Sequence, residues 1–282
     1  MIYRRTPSKD DVWGSIRQYQ DMCGRYAASK NPADLVEEFE VVVAPEKELK
    51  PDYNVAPTKF VYAVMDRRPR ESSVEVSGGV AGEVRRELSI VKWGLVPSWA
   101  KDPAIGNKMI NARVETVSEK PSYRRAFAKR RCVLPADGYY EWYTPTDGPK
   151  TKSGKPVKQP FFIHSGDGRS LAMAGLYELW RDPSRADDDP YAWLTTVTVL
   201  TTTATDALGH IHERMPLLVE PAALNDWLNP DLDVKATDPR EFLHAATNLA
   251  AYPVSTLVND VRHNGPELCE PIPYEEQPNQ LF

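Results

Sequence analysis

The run CVLPADGYYEWY, residues 132–143, is rich in β-branched and aromatic residues and reads as a β-strand. Runs of the same character lie on both sides: FVYAVM (60–65), ELSIVKWGL (87–95), PFFIH (160–164), LAMAGLYEL (171–179), YAWLTTVTVLT (191–201) and PLLV (216–219). Helices are expected where a cap and a proline precede a helical pattern, after Asn31-Pro32, Glu220-Pro221 and Asp238-Pro239, with another from Tyr123 to Lys129. The strands outnumber the helices and lack a regular strand-helix alternation. The expected class is therefore α+β, a single domain with a curved, largely antiparallel, barrel-like sheet core flanked by helices. The polar stretches 66–87 and 144–159 read as surface loops, and the segment from Pro266 to Phe282 as extended or frayed.

The 282 residues are 41% hydrophobic, enough for a buried core, and carry a formal net charge of -5. That charge excludes a protein that coats nucleic acid through bulk charge and leaves room only for a local basic groove. Cys23, Cys132 and Cys269 are far apart, odd in number and without zinc-ligand spacing, which fits a reducing cytosol and predicts no metal. Arg4, Arg5 and Lys9 are followed by no apolar run of the signal-peptide kind, and no stretch approaches the ~20 apolar residues of a membrane span. A cytoplasmic monomer is expected.

The stretch DMCGRYAASK (21–30) sets Cys23 directly after an internal methionine. As an internal residue Cys23 would be an ordinary small hydrophobe. If the chain began at Met22 and lost it, Cys23 would carry a free amine and a thiol on adjacent carbons. An α-amine with a pKa of ~7.7–8.0 is partly neutral at pH 7 and adds to an aldehyde to give an imine. The thiol can then close on the imine carbon to make a five-membered thiazolidine, so an aldehyde substrate is expected. Imine formation also needs proton transfers, for which a carboxylate and an imidazole are the usual groups.

Nine blocks extend the pattern in order: MCGRYA (22–27), YNVAPT (53–58), WGLVPSWA (93–100), INARVET (110–116), RRCVLPADGYYEW (130–142), AGLYELW (174–180), TTTAT (201–205), IHERMPLLV (211–219) and YPVSTLVNDVRHNGPE (252–267). Together they resemble the SRAP family, abasic-site-processing proteins first called SOS response-associated peptidases. The resemblance implies a role in DNA damage and repair, in which Cys23, once N-terminal, crosslinks covalently to abasic sites in single-stranded DNA. It also implies lyase-like imine chemistry and a peptidase activity at Met22-Cys23. The implied catalytic set is Cys23, Asn111, Glu141 and His212. Asn111 helps hold the sugar and the cysteine, Glu141 acts as acid and base at the amine and imine, and His212 assists ring opening. Glu141 could instead be an exposed strand position and Asn111 a turn residue. His210 is a rival to His212, which alone matches the block, while His164, His244 and His263 look structural or superficial.

DNA contacts are expected from Arg25, Arg113, Arg124 and Arg214 at phosphates, from Pro57 as part of a wedge, and from Trp93 and Trp99 as stacking faces. The two tryptophans could equally be core, and the run RRAFAKRR (124–131) a solvated helix face. An acylated Cys23 has no nucleophilic amine, so residues 1–21 are expected to be a leader, absent through a start codon at Met22 or removed by cleavage, unless this copy has lost the chemistry. Residues 22–271 are then the catalytic and DNA-binding domain and 272–282 a tail. The alternatives are a cysteine hydrolase of the N-terminal-nucleophile type and a noncovalent binder of single-stranded DNA. None of these readings needs a cofactor.

Overall fold

The computed structural model describes residues 23–68, 82–145, 148–189, 191–204, 206–245 and 248–273. Their strands form two sheets. The larger contains β3 (Phe60–Arg67), β4 (Arg85–Trp93), β5 (Asn111–Arg113), β6 (Arg131–Ala136), β9 (Leu171–Arg181), β10 (Trp193–Thr203) and β11 (Arg214–Pro216). The chain of pairings β10-β4-β3-β6-β9 returns to β10, which closes a five-stranded barrel. The second sheet is open, in the order β12 (Leu249–Pro253), β8 (Gln159–Ser165), β7 (Gly138–Tyr143), β1 (Tyr26–Ala28) and β2 (Asp52–Val55). All its pairings are antiparallel, whereas β4 and β5 run parallel to β10.

Alternation along the barrel strands sorts the core into two faces. Val61, Ala63 and Met65, Cys132 and Leu134, Leu171 and Met173, and Val197 and Val199 share one cluster, while the intervening Val64, Val133, Ala174 and Leu176 belong to another with helix residues. The longer helices pack against the second set, so the first face is the barrel interior, closed at one end by Leu208 and Ile211. The helices α1 (Pro32–Glu38), α2 (Arg124–Lys129) and α4 (Leu224–Leu228) supply Leu35, Phe127 and Trp227 to the outer cluster; α3 (Asp206–Gly209) is one short turn. α1 starts as expected, with Asn31 Oδ1 accepting the Asp34 N–H and Pro32 in the first turn.

The helical layer is tied to the barrel by Arg131, which is buried at the start of β6. Its guanidinium donates to the carbonyls of Phe127 (2.8 Å) and Ala128 (2.7 Å) at the end of α2, to Trp227 (2.7 Å) in α4 and to Asn229 just beyond it. A cation placed at two helix C-termini meets the carbonyls that have no partner inside their helices.

The expected class holds, with differences in detail. The run 132–143 is two strands in two sheets, parted at Asp137, whose N–H bonds the Ala27 carbonyl (2.8 Å) and whose carboxylate accepts the Ser29 N–H (2.6 Å). The last strand before α4 is 214–216, not 216–219, because Leu218 only bridges to Met173 and His244. After Asp238-Pro239 there is one 3-10 turn, Pro239–Phe242, since Leu243 turns extended and buries its side chain. After Glu220-Pro221 a 3-10 turn, Pro221–Ala223, precedes α4. The polar stretch 66–87 begins and ends inside β3 and β4, and residues 69–81 lie outside the described residues, as do 146–147 of the second stretch. The C-terminal segment is not frayed at Pro266–Cys269, a 3-10 turn that buries Leu268; residues 274–282 of it lie outside the described residues, as do 1–22. Among the described residues no helix is long and apolar enough to cross a membrane.

Candidate active site

Asp137 decides which side chains reach the site. Even-numbered residues of β6 (Cys132, Leu134, Ala136) face the interior; after the one-residue break the odd-numbered Tyr139 joins the same cluster, and Glu141 follows on its side of β7. β1 pairs with β7 as Tyr26 with Tyr139 and Ala27 with Gly138, and the Tyr140 N–H extends the ladder to the Arg25 carbonyl (2.9 Å). That register carries Cys23 up to Glu141, whose Oε1 accepts the Cys23 N–H at 2.7 Å. Glu141 is only 2% exposed, so the exposed-strand alternative is excluded.

β10 delivers the other groups. It pairs Val199 with Asn111 on β5 along one edge and Thr203 with Arg214 on β11 along the other. His212, just before β11, places Nδ1 4.0 Å from Glu141 Oε2. The same Nδ1 lies 3.1 Å from both the N–H and the carbonyl of Arg214, so it accepts from the first when it is the bare ring nitrogen and donates to the second when it carries the proton. The thiol of Cys23 is 3.9 Å from that carbonyl. His210 is exposed and turns its ring to Tyr143, which removes it as a rival to His212.

Burial governs the electrostatics. It pushes the Cys23 thiol well up, and the nearby Glu141 charge adds to the rise while Arg214 opposes it. Burial also raises the Glu141 carboxyl, against the pull of His212 and of the bond from Cys23. A carboxylate that is costly to ionise and bonded to the cysteine nitrogen is placed to give and take protons there. Cys23 has a positive φ of 29°, a strained value for a non-glycine residue. Among the described residues no group of His, Cys, Asp or Glu could hold a metal ion.

The expected DNA-contacting residues divide by burial. Trp93 is 1% exposed, packs on Tyr26 with ring centroids 5.2 Å apart and donates its indole N–H to the Ile110 carbonyl, so it offers no face to a base. Arg25 is buried with its guanidinium on Asn54 Oδ1 (2.6 Å) and the Val258 carbonyl (2.8 Å). Arg214 is buried in a fork on Glu115 (2.7 and 3.0 Å) and on the Thr201 carbonyl. Both arginines brace the interior and present no free guanidinium to a phosphate. Trp99 is 60% exposed, Arg113 and Arg124 are exposed, and Pro57 is half-buried. The loop that displays Trp99 is fixed by bonds from the Val96 N–H to Thr196 Oγ1 (2.9 Å) and from the Trp180 indole to the Ala100 carbonyl (2.7 Å).

The family model described as SOS response associated peptidase (SRAP) matches residues 22–261, from the residue before Cys23 past every group of the site. The chain belongs to the SRAP family. The SRAP chain is 38% identical over 256 residues to "Abasic site processing protein YoqW" of Bacillus subtilis, covering 88% of this chain and 99% of that one. It is 31% identical over 250 residues to "Abasic site processing protein HMCES" of Gallus gallus, covering 80% and 68%. Among solved structures it resembles a protein from Bacteroides thetaiotaomicron at a TM-score of 0.68 and 23% identity, over 89% of this chain and all of that one, a likeness of fold. Sequence reasoning did not single out Tyr139, which stands two residues before Glu141 on the same face of β7 and in the cluster that holds Cys23.

Proposed function

We propose that this protein processes abasic sites in single-stranded DNA by covalent capture through Cys23 as the N-terminal residue. The observation that carries the reading is the 2.7 Å bond between the Cys23 nitrogen and Glu141 Oε1, with His212 Nδ1 4.0 Å from the other carboxylate oxygen. A nitrogen that must lose a proton, attack a carbonyl and help expel water needs an acid-base group in direct contact, and Glu141 is that group. In the ring-opened form an abasic site presents an aldehyde. The free amine of Cys23 adds to it, one water leaves as the imine forms, and the thiol adds across the C=N bond with its proton passing to nitrogen. The net change is one aldehyde and one aminothiol to one thiazolidine and one water. His212, whose Nδ1 takes either hydrogen-bonding role, assists the ring opening that exposes the aldehyde, and Asn111 holds the sugar. Exposed Trp99 offers a base-stacking face on a rigid loop, with Arg113 and Arg124 as phosphate contacts and Pro57 as part of a wedge.

The same contact serves removal of the preceding residues. Glu141 lies at the amide nitrogen that becomes the leaving amine when the Met22-Cys23 bond is hydrolysed, where a proton is required. The test is the intact mass of protein expressed from its own gene, alone and after mixing with an oligonucleotide carrying one abasic site. A mass beginning at Cys23 that gains the whole strand less one water, stable to denaturant and lost in Cys23→Ser, is expected. A mass beginning at Cys23 that gains nothing would sink the reading.

A further inference from the structure

Two buried tyrosines stand opposite each other on β1 and β7. Tyr26 and Tyr139 are register partners, both are buried, and neither hydroxyl has a hydrogen-bond partner among the described residues. A buried O–H without a partner is costly, so its retention calls for a use. The two differ in what surrounds them. Both belong to the cluster that holds Cys23, but Tyr139 stands two residues from Glu141 on the same face of β7, beside the carboxylate that accepts the Cys23 N–H, and burial, then the charges of Cys23 and Glu141, keep its phenol protonated. Tyr26 turns its ring to Trp93, and the charge that reaches its phenol is that of Asp52.

The sulfur of Cys23 has the complementary need. As a thiol it can donate to the Arg214 carbonyl 3.9 Å away, but a carbonyl only accepts, so ionisation leaves the sulfur without that bond. Glu141 repels the thiolate as well. The terminal nitrogens of Arg214 are spent on Glu115, Thr201 and Thr203, which leaves its buried Nε–H as the one competing donor on that side chain.

We propose that Tyr139 is a positioning residue of this site, donating its hydroxyl proton in a hydrogen bond to the Cys23 sulfur in its thiolate form and holding that sulfur for ring closure. The role in ring closure rests on the function proposed above; the hydrogen bond does not. Its test needs no DNA. The rate of Cys23 alkylation by iodoacetamide is followed against pH in the full chain, by peptide mass, for wild type, Tyr139→Phe and Tyr26→Phe. A hydrogen bond to a charged acceptor predicts on the order of tenfold less thiolate, and so about tenfold slower alkylation below the apparent pKa, in Tyr139→Phe. Tyr26→Phe, which loses an equally buried hydroxyl, should titrate like wild type. An unchanged profile in folded Tyr139→Phe would overturn the proposal and point to Arg214 Nε. Should Tyr139→Phe not fold, 3-fluorotyrosine placed at position 139 gives a fluorine signal that must move with the Cys23 titration; a signal flat through it overturns the proposal equally. Absence of an adduct between wild type and abasic DNA would remove the proposed function while leaving this result standing.

Discussion

Glu141 shows what a single residue contributes here and what it costs. Its carboxyl is raised above the ordinary 4.5 by burial, so between 4.5 and the raised value the folded protein binds more protons than the unfolded chain. The stability this group lends is full below about 4.5 and is lost as pH rises through its folded pKa. Glu141→Gln should therefore melt at a higher temperature relative to wild type at pH 7 than at pH 4, while crosslinking to abasic DNA slows about 10²–10⁴-fold. Thermal melts at both pH values and single-turnover adduct formation check the two halves. At this scale residue type alone singled out a cysteine behind a methionine, a carboxylate and an imidazole, and the fold places those three side by side. The burial of Arg25, Trp93 and Arg214 was not legible, because the same side chain that can grip a phosphate or stack on a base can also fill an interior, and burial depends on neighbours distant in the chain.

The junction between β6 and β7 is the element on which the site turns. A Cβ at Gly138 would meet the Phe162 ring and lie 2.6 Å from the Ile163 carbonyl oxygen on β8, so only glycine lets the two strands approach there. Gly138→Ala should cost about 1–3 kcal/mol, read from the denaturant midpoint, and should slow adduct formation because β7 carries Glu141. The long strands were legible because alternation of apolar and polar residues repeats often enough to be seen. β1 and β5, three residues each, show no period at all and exist because β7 and β10 offer them an edge. The split at Asp137 was hidden for a related reason: strands on its two sides have the same composition, and what changes is the parity of the inward-facing residues.

For the molecule as a whole, Arg131 joins the closed barrel to α2 and α4, as Arg86 on β4 joins it to the end of α1 and to Asn225 in α4. Arg131→Met would strand the carbonyls of Phe127, Ala128 and Trp227, which the guanidinium now satisfies, and should destabilise the protein by about 3 kcal/mol or more, measured by equilibrium unfolding, with the helical signal lost together with the barrel. The α+β class and the curved sheet followed from the excess of strand runs without a strand-helix beat. Which strands close the ring did not, since β10 meets β4, β5, β9 and β11, partners spread from residue 85 to residue 216. The backbone torsion at Cys23 also belongs to this scale, because it distinguishes two covalent species. A φ angle is measured from the carbonyl carbon of the preceding residue, so the 29° twist exists only while Met22 is attached. If that bond is cut, as the proposed function requires, the torsion goes with it, and the release of about 1–2 kcal/mol would favour hydrolysis of this amide over an unstrained one by roughly tenfold.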